Sequence, residues 1–416
     1  IFWHAADGSS VRGCAIIDDL ALKISFDAGG YETIEKLGAY LSERCIARGG
    51  HPVVLTKAPD MWGGMRISRD AKWITLTVSM PDHIKAATRT WIPELTETGV
   101  VPDGIPQGAA LRRALDGLVL LKGEGPLNRE QRDVQKITGD LRWMLRALVR
   151  LLKHVHMLSC VAARAECPAA KQAALGVLAL AFHHCDEGRT WGGEGGPVGI
   201  TGALKGTLDA RRRQRVSTID GAVRLKHGAP KDAEGMVDAT WSRGVDGSAD
   251  VYALSVSYNC ASIIEELKNS GVICGSSAEI EGLGLLKLSD KALWIRILYA
   301  RLGVDMSAPM RLLCDAEAAL RAATGETSVV RLKHAIRRSA IVKQRARNED
   351  VELCHIPDAA SVVDIFTKWS KEDKVAACVA YLSGAINRAL HADGPPPVAP
   401  PVDVALAFAG VWLARG

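Results

Sequence analysis

The chain has 416 residues, 48% of them hydrophobic and 24% charged, a composition that excludes a wholly disordered protein and leaves room for two or three domains. Its 52 Lys and Arg against 47 Asp and Glu leave a net charge of +5, too slight to define a nucleic-acid binder by total charge. No run of about 18 apolar residues occurs, so no membrane-spanning helix is expected. With no secretory signal pattern in the first residues, the expected location is intracellular, in cytoplasm or nucleus.

In chain order, residues 10–27 read as a hairpin: an apolar run from Cys14 to Ile17, the pair Asp18-Asp19, then Leu20 to Ile24. A helix is expected from Tyr31 to Ala47, with Ile34, Leu37, Leu41 and Cys45 on one face. Alternation from Arg66 to Val78 predicts a further pair of strands, and the Gly- and Pro-rich stretch 98–126 reads as an irregular connection. From Asn128 to about Cys160, apolar residues recur at three and four (Val134, Ile137, Leu141, Met144, Leu145, Leu148, Leu152, Val155), which predicts one long helix. A second helix is expected from Ala169 to His184. The segment Trp191 to Pro197, mostly glycine, reads as an interdomain loop.

Further on, Gly235 to Asp238 starts a strand and Ser276-Ser277 opens a helix that carries Glu281. Met310 to Cys314 is a strand ending at Asp315, and Val351 to Ile356 is another, followed by a helix opening near Asp364. A Pro-rich stretch, Pro395 to Pro401, precedes a short apolar tail, Val402 to Trp412, expected to be a docking helix.

Ten cysteines occur singly, with no Cys-x-x-Cys pair, so buried reduced thiols are expected rather than a zinc site. His183-His184-Cys185-Asp186 is tempting as a ligand group, but adjacent helical residues point in different directions. The acids are more informative. Asp238, Asp315, Glu281 and Asp364 all fall at strand ends or helix starts. Acids gathered in that way can hold two hard Mg²⁺ (or Mn²⁺) ions through oxygen. Such a pair activates a water and stabilises the leaving oxygen in phosphodiester hydrolysis.

At these residues the chain resembles the C-terminal half of the Pol polyprotein of copia-type LTR retrotransposons: reverse transcriptase, connection and ribonuclease H. The family's Asp-Ala-Asp-Trp stands as Asp238-Ala239-Thr240-Trp241, and its Ser-Ser/Thr-x-Glu-Ala-Glu-Tyr as Ser276-Ser277-Ala278-Glu279-Ile280-Glu281-Gly282. Cys-Asp-Asn stands as Cys314-Asp315-Ala316, and Ala-Asp-Ile-Phe-Thr-Lys as Val363-Asp364-Ile365-Phe366-Thr367-Lys368. Arg331-Leu332-Lys333-His334-Ala335-Ile336-Arg337 is similar to the family's Arg-x-Lys-His-Ile-x-Arg. Upstream, Ile16-Ile17-Asp18-Asp19-Leu20 resembles the polymerase Tyr-Val-Asp-Asp-Leu, and Trp62-Gly63-Gly64-Met65-Arg66-Ile67-Ser68-Arg69-Asp70 resembles Leu-Gly-x-x-Ile-x-Arg-Asp. The matches run in order from about residue 1 to about residue 370. Gly282 replaces an aromatic residue beside Glu281, and Ala316 replaces Asn beside Asp315.

The resemblance implies an α/β (α+β) chain. It divides into a partial reverse-transcriptase palm (1–97), thumb and connection helices (98–190), a linker (191–232), a ribonuclease H-like mixed five-stranded sheet with flanking helices (233–390), and a Pro-rich tail (391–416). It makes Asp238, Glu281, Asp315 and Asp364 the Mg²⁺ or Mn²⁺ ligands of ribonuclease H, with Asp238 and Asp315 side by side in the sheet and Glu279 a surface acid or cap. Asp18 and Asp19 become a remnant polymerase site. Only 17 residues precede Asp18, too few for the partner palm strand, so polymerisation by this chain alone is not expected.

Arg331 to Arg347 holds seven Lys or Arg and no acid. A stripe of Leu332, Ala335, Ile336 and Ile341 would leave His334, Arg337, Arg338 and Arg345 in solvent. With Arg331 and Lys333, these suit the phosphates of RNA or an RNA–DNA hybrid. Hydrolysis of RNA in such hybrids is the expected activity. The rival expectation is a catalytically silent, retroelement-derived subunit of a ribonucleoprotein such as an organellar ribosome.

Overall fold

The computed structural model describes residues 61–192 and 233–384, apart from 63, 70–74, 119–127, 163–167, 242–249, 259–260, 302–305 and 325–335. It also describes the backbone of 2–4, 10–16 and 19–24, and residues 39, 40, 43, 46 and 47. The chain is a mixed α/β protein. Strands β1 (Phe2–His4), β2 (Ser10–Ile16) and β3 (Asp19–Ile24) form an antiparallel sheet in that order, with Ile16 opposite Asp19. The expected hairpin is therefore present in the backbone. Asp18 and the side chain of Asp19 lie outside the described residues, as do most of residues 31–47 and all of 385–416.

A second sheet takes β4 (Met61–Trp62), β5 (Met65–Arg69), β6 (Thr75–Ser79) and β7 (Gly188–Gly192), antiparallel throughout. Strands β5 and β6 are the predicted pair. Two helices follow, each begun by a proline whose missing N–H costs nothing at that position: α1 (Pro81–Trp91) and α2 (Pro93–Thr98). Helix α3 (Gly108–Asp116) corrects the irregular connection expected over 98–126. Leu111 and Leu115, one turn apart, bury its single apolar stripe, and flanking Gly and Pro residues hide so short a period in the sequence.

Helix α4 (Arg129–Met144) starts at the predicted Asn128. Asn128 Oδ1 accepts the Gln131 N–H (2.8 Å), and Gln131 Oε1 accepts the Asn128 N–H (2.7 Å), closing a capping box. Asn128→Ala is expected to lower stability by about 1 kcal/mol, read from the urea midpoint at unchanged slope.

The predicted long helix does not continue to Cys160. It breaks after Met144, passes through a 3₁₀ turn (Val149–Leu151) and resumes as α5 (Leu152–Val161). Met144, Ala147, Leu148, Val149 and Leu151 are all buried, more than one face of a straight helix can hide, so the chain turns to cover them. The Leu145 carbonyl accepts from the Arg189 guanidinium instead of from a helical amide.

Helix α6 (Pro168–His183) matches the second predicted helix within a residue. Trp191 and Gly192, expected to start a loop, belong to β7, with Trp191 opposite Leu76; residues 193–197 lie outside the described residues. Strand β6 pairs with β7 across the intervening helices, Thr75 opposite Gly192 and Ser79 opposite Gly188.

The third sheet has the order β10-β9-β8-β11-β12. Strands β8 (Ala233–Thr240), β9 (Val251–Tyr258) and β10 (Ala261–Asn269) run antiparallel, and β11 (Met310–Cys314) and β12 (Val351–His355) continue parallel to β8. One face packs on α7 (Ser277–Arg301), which α8 (Glu317–Thr324) and α9 (Ile336–Arg347) flank. The other packs on the short α10 (Asp364–Thr367), α11 (Glu372–Leu382), Val149 and Leu152. Covered on both faces, β9 is buried almost throughout and loses the polar alternation of a half-exposed strand.

Helix α7 lies close against β8. A Cβ at Gly235 would sit 2.6 Å from Leu288 Cδ1, and one at Gly284 2.8 Å from Val237 Cγ2, so a side chain at either position would force its neighbour to shift.

Cys185, Cys274, Cys314, Cys354 and Cys378 are buried, Cys160 is half-buried, and none of the six forms a disulfide. Among the described residues no helix is long and apolar enough to cross a membrane.

Candidate metal centre

Side chains two apart on a strand share a face. Met236 on β8 and Leu313 on β11 are buried with Val362, Val363 and Phe366 on the α10 side of the sheet. Two residues later, Asp238 and Asp315 emerge on that same side. The parallel register, Val237 with Cys314, sets them level with each other. Asp364 opens α10 directly opposite them. One carboxylate oxygen each from Asp238, Asp315 and Asp364 lies within 4.8 Å of the others. These residues are 49 to 126 positions apart in sequence, and the fold alone brings them together.

Glu281, one turn into α7, is not part of that tight trio, but it lies near enough to feel both Asp315 and Asp238. Burial, then repulsion from Asp315 and Asp238, pushes its carboxyl up to about 7. Burial followed by the charges of Asp238 and Asp364 pushes Asp315 up to about 7. Asp238 is pushed up to about 6 by burial and by Asp364, against a hydrogen bond donated by the Thr367 hydroxyl. His355 Nε2 donates to the Asp315 backbone carbonyl (3.1 Å), fixing the end of β11.

Two lysines complete the centre, and neither was singled out from the sequence. Lys368 Nζ lies 3.3 Å from Asp364 Oδ1, 3.3 Å from Asp358 and 3.9 Å from Asp238. Burial works against its charge, but Asp238, Asp364 and Asp358 outweigh it and hold the ammonium above its usual range. Lys374 Nζ lies 2.6 Å from Asp364 Oδ2. The i, i+4 spacing of Asp364 and Lys368 was a readable signal. Lys374 reaches in from the next helix, α11, and had none.

Of the expected basic face, the solvent-facing placement of Arg338 and Arg345 is corrected. Arg331, Lys333 and His334 lie outside the described residues. On α9 only Arg337 of the named arginines is exposed. Arg338 pairs with Glu279 (3.7 Å) and Arg345 with Asp290 (2.8 Å), so both turn toward α7 rather than solvent. Ile341 is exposed, while Ser339 and Val342 are buried. Leu332 and Ala335 lie outside the described residues, and on α9 (Ile336–Arg347) the buried position falls at Val342, one residue past the expected Ile341. Glu279 is buried and caps: its Oε2 accepts the Gly275 N–H (2.9 Å). In the His183–Asp186 group Cys185 is buried, and His184 Nδ1 turns to Glu187 (2.9 Å).

Neither a family model nor a curated protein matches the chain. Fold and centre together define a mixed α/β protein with carboxylates gathered at the ends of neighbouring parallel strands.

The donor set fits a hard divalent cation: oxygen-only, largely buried, and crowded enough that two acids rise to about 7. Because the folded values exceed the ordinary ~3.9 for Asp and ~4.3 for Glu, the folded chain binds more protons than the unfolded chain between about pH 4 and 7. These groups therefore lower stability as pH rises through that window. In chelator, the melting temperature of Glu281→Gln relative to the parent chain should rise between pH 5 and 8. A flat difference would count against the crowding.

Proposed function

We propose that this chain is a retroelement-derived nuclease that hydrolyses the RNA strand of RNA–DNA hybrids with two Mg²⁺ or Mn²⁺ ions. The observation that carries the proposal is the convergence of Asp238, Asp315 and Asp364 at one end of the five-stranded sheet, with Glu281 beside them. The collinear copia-type motifs supply the substrate class.

When bound, the ions would lower the pKa of a water and neutralise the leaving oxygen. The protein's part is placement. Asp238 and Asp315 present oxygens from strand ends whose backbones the sheet holds, and Thr367 orients the Asp238 carboxylate. His355 anchors the Asp315 backbone. Asp364 and Glu281 close the centre from two helices, and Arg337 offers a solvent-facing cation to a phosphate backbone.

The test is cleavage of a labelled RNA–DNA hybrid by the full chain with Mg²⁺ or Mn²⁺, beside Asp315→Asn. Loss of cleavage in the variant supports the proposal; an intact hybrid with both proteins sinks it.

One observation favours the rival, a silent ribonucleoprotein subunit: Lys368 and Lys374 already neutralise Asp364 from within the chain. Co-purification with a stable RNA–protein assembly, without cleavage, would select that role.

A further inference from the structure

The acids of the centre divide into two unequal halves. Asp364 is nearly fully buried and has both oxygens on ammonium groups, Oδ1 on Lys368 and Oδ2 on Lys374. Asp238 receives the Thr367 hydroxyl and lies at the edge of Lys368's reach, 3.9 Å away. Among the described residues, no lysine or arginine lies within ion-pair distance of Asp315 or Glu281, although both face further acids. Direct ammonium contact is thus confined to the Asp364 and Asp238 side, and Lys368 acts on Asp315 and Glu281 only from a distance. The side chains that deliver it sit on flexible four-carbon stems, and that of Lys374 is 23% exposed, with a route to solvent.

We propose that Lys374 is a built-in competitor for one of the two cation positions. The first divalent ion enters on the Asp315–Glu281 side, where no ammonium stands. The second reaches Asp364 only when the Lys374 ammonium swings out. The inference rests on the cation centre proposed above and adds an order of loading to it.

The exchange balances without further reactants. One ammonium leaves a carboxylate oxygen for water as one divalent ion takes its place, and no bond is made or broken. Lys368, shared among three acids, stays and keeps a positive charge beside the incoming ion. If the lysine-paired arrangement holds about 90–99% of molecules, the second ion's apparent affinity falls about 10–100-fold below that of an open site. The centre would then load its second ion only where substrate phosphate adds its own attraction.

The test is Mn²⁺ binding to the full chain without nucleic acid, followed by the paramagnetic resonance of the free ion. The wild-type chain should take up one ion tightly and a second at least about tenfold more weakly, and Lys374→Met should tighten the second step about tenfold or more. Equal steps in the wild type, or an unchanged second step in Lys374→Met, overturn the inference.

Stripping Asp364 of its partner risks unfolding the variant, so a second measurement uses the wild type alone. Trace acetylation of Lys374, read by mass spectrometry, should be slow through the first Mn²⁺ step and rise across the second. A rate that stays level across both steps also overturns the inference. Mn²⁺ uptake that Asp315→Asn leaves unchanged would instead remove the cation centre itself, and with it the nuclease proposal.

Discussion

Arg189→Ala is expected to cost about 3–5 kcal/mol of folding stability, the range for breaking a buried ion pair from one side. Arg189 lies on β7, and its guanidinium reaches out of its own sheet. It pairs with Glu265 on β10 and donates to the carbonyls of Ser262 (3.2 Å) and Leu145. Both side chains of the pair are almost fully buried, 5% and 9% exposed. The residue therefore ties the four-stranded sheet to the edge of the five-stranded one, and it holds the break after α4 in place. Alanine would leave Glu265 charged and dry and two carbonyls unmatched.

The control separates charge from packing. Arg189→Met with Glu265→Leu removes both charges while keeping volume, and should recover most of the loss, since a well-packed apolar pair often equals a buried ion pair. Urea unfolding at pH 7 reads both variants. A loss below about 1 kcal/mol in Arg189→Ala would show that water reaches the pair and that the junction is not dry.

Asp315→Asn should move activity and stability in opposite directions. Removing one of three converging carboxylates would take away a ligand of the proposed metal centre; at about 4 kcal/mol of lost charge stabilisation, the proposed hybrid cleavage should fall about 10³-fold. The same change removes a half-buried negative charge facing Asp238 and Asp364, so the metal-free variant should be more stable by about 1 kcal/mol at pH 8. At pH 5 the gain should vanish, because Asp315, whose carboxyl is pushed up to about 7, is then protonated in the folded wild type. Melting curves in chelator at the two pH values check the sign. Lower stability of the variant at pH 8 would mean that Asp315 is a structural anion and no functional ligand.

Local pattern decided much of what could be read from the residues alone. Asn128 with Gln131 three positions on marks a helix start by side-chain chemistry that is complete within one turn, and α4 begins there. Met310 to Cys314 and Val351 to His355 are short apolar runs that end at an acid or a turn, and both are strands. The acids at the ends of these elements could be named for the same reason: a carboxylate directly after an apolar strand leaves the covered part of the sheet.

Tertiary structure decided what depends on partners distant in sequence. Periodicity carried the long helix past Met144, but it does not register that the run around Leu148 has to be buried on several sides at once. Nor does it show that Arg189, 44 residues on, takes the Leu145 carbonyl. On α9 Val342 rather than Ile341 is buried, because the phase of the stripe depends on which face α7 covers. Lys374 entered the carboxylate centre from another helix, with nothing in its neighbours to announce it. Sequence thus determined many of the elements and the acids near their ends, since those follow from chemistry within a turn or a strand. Which acids meet, and which cations neutralise them, followed from packing, because burial and charge pairing act through space.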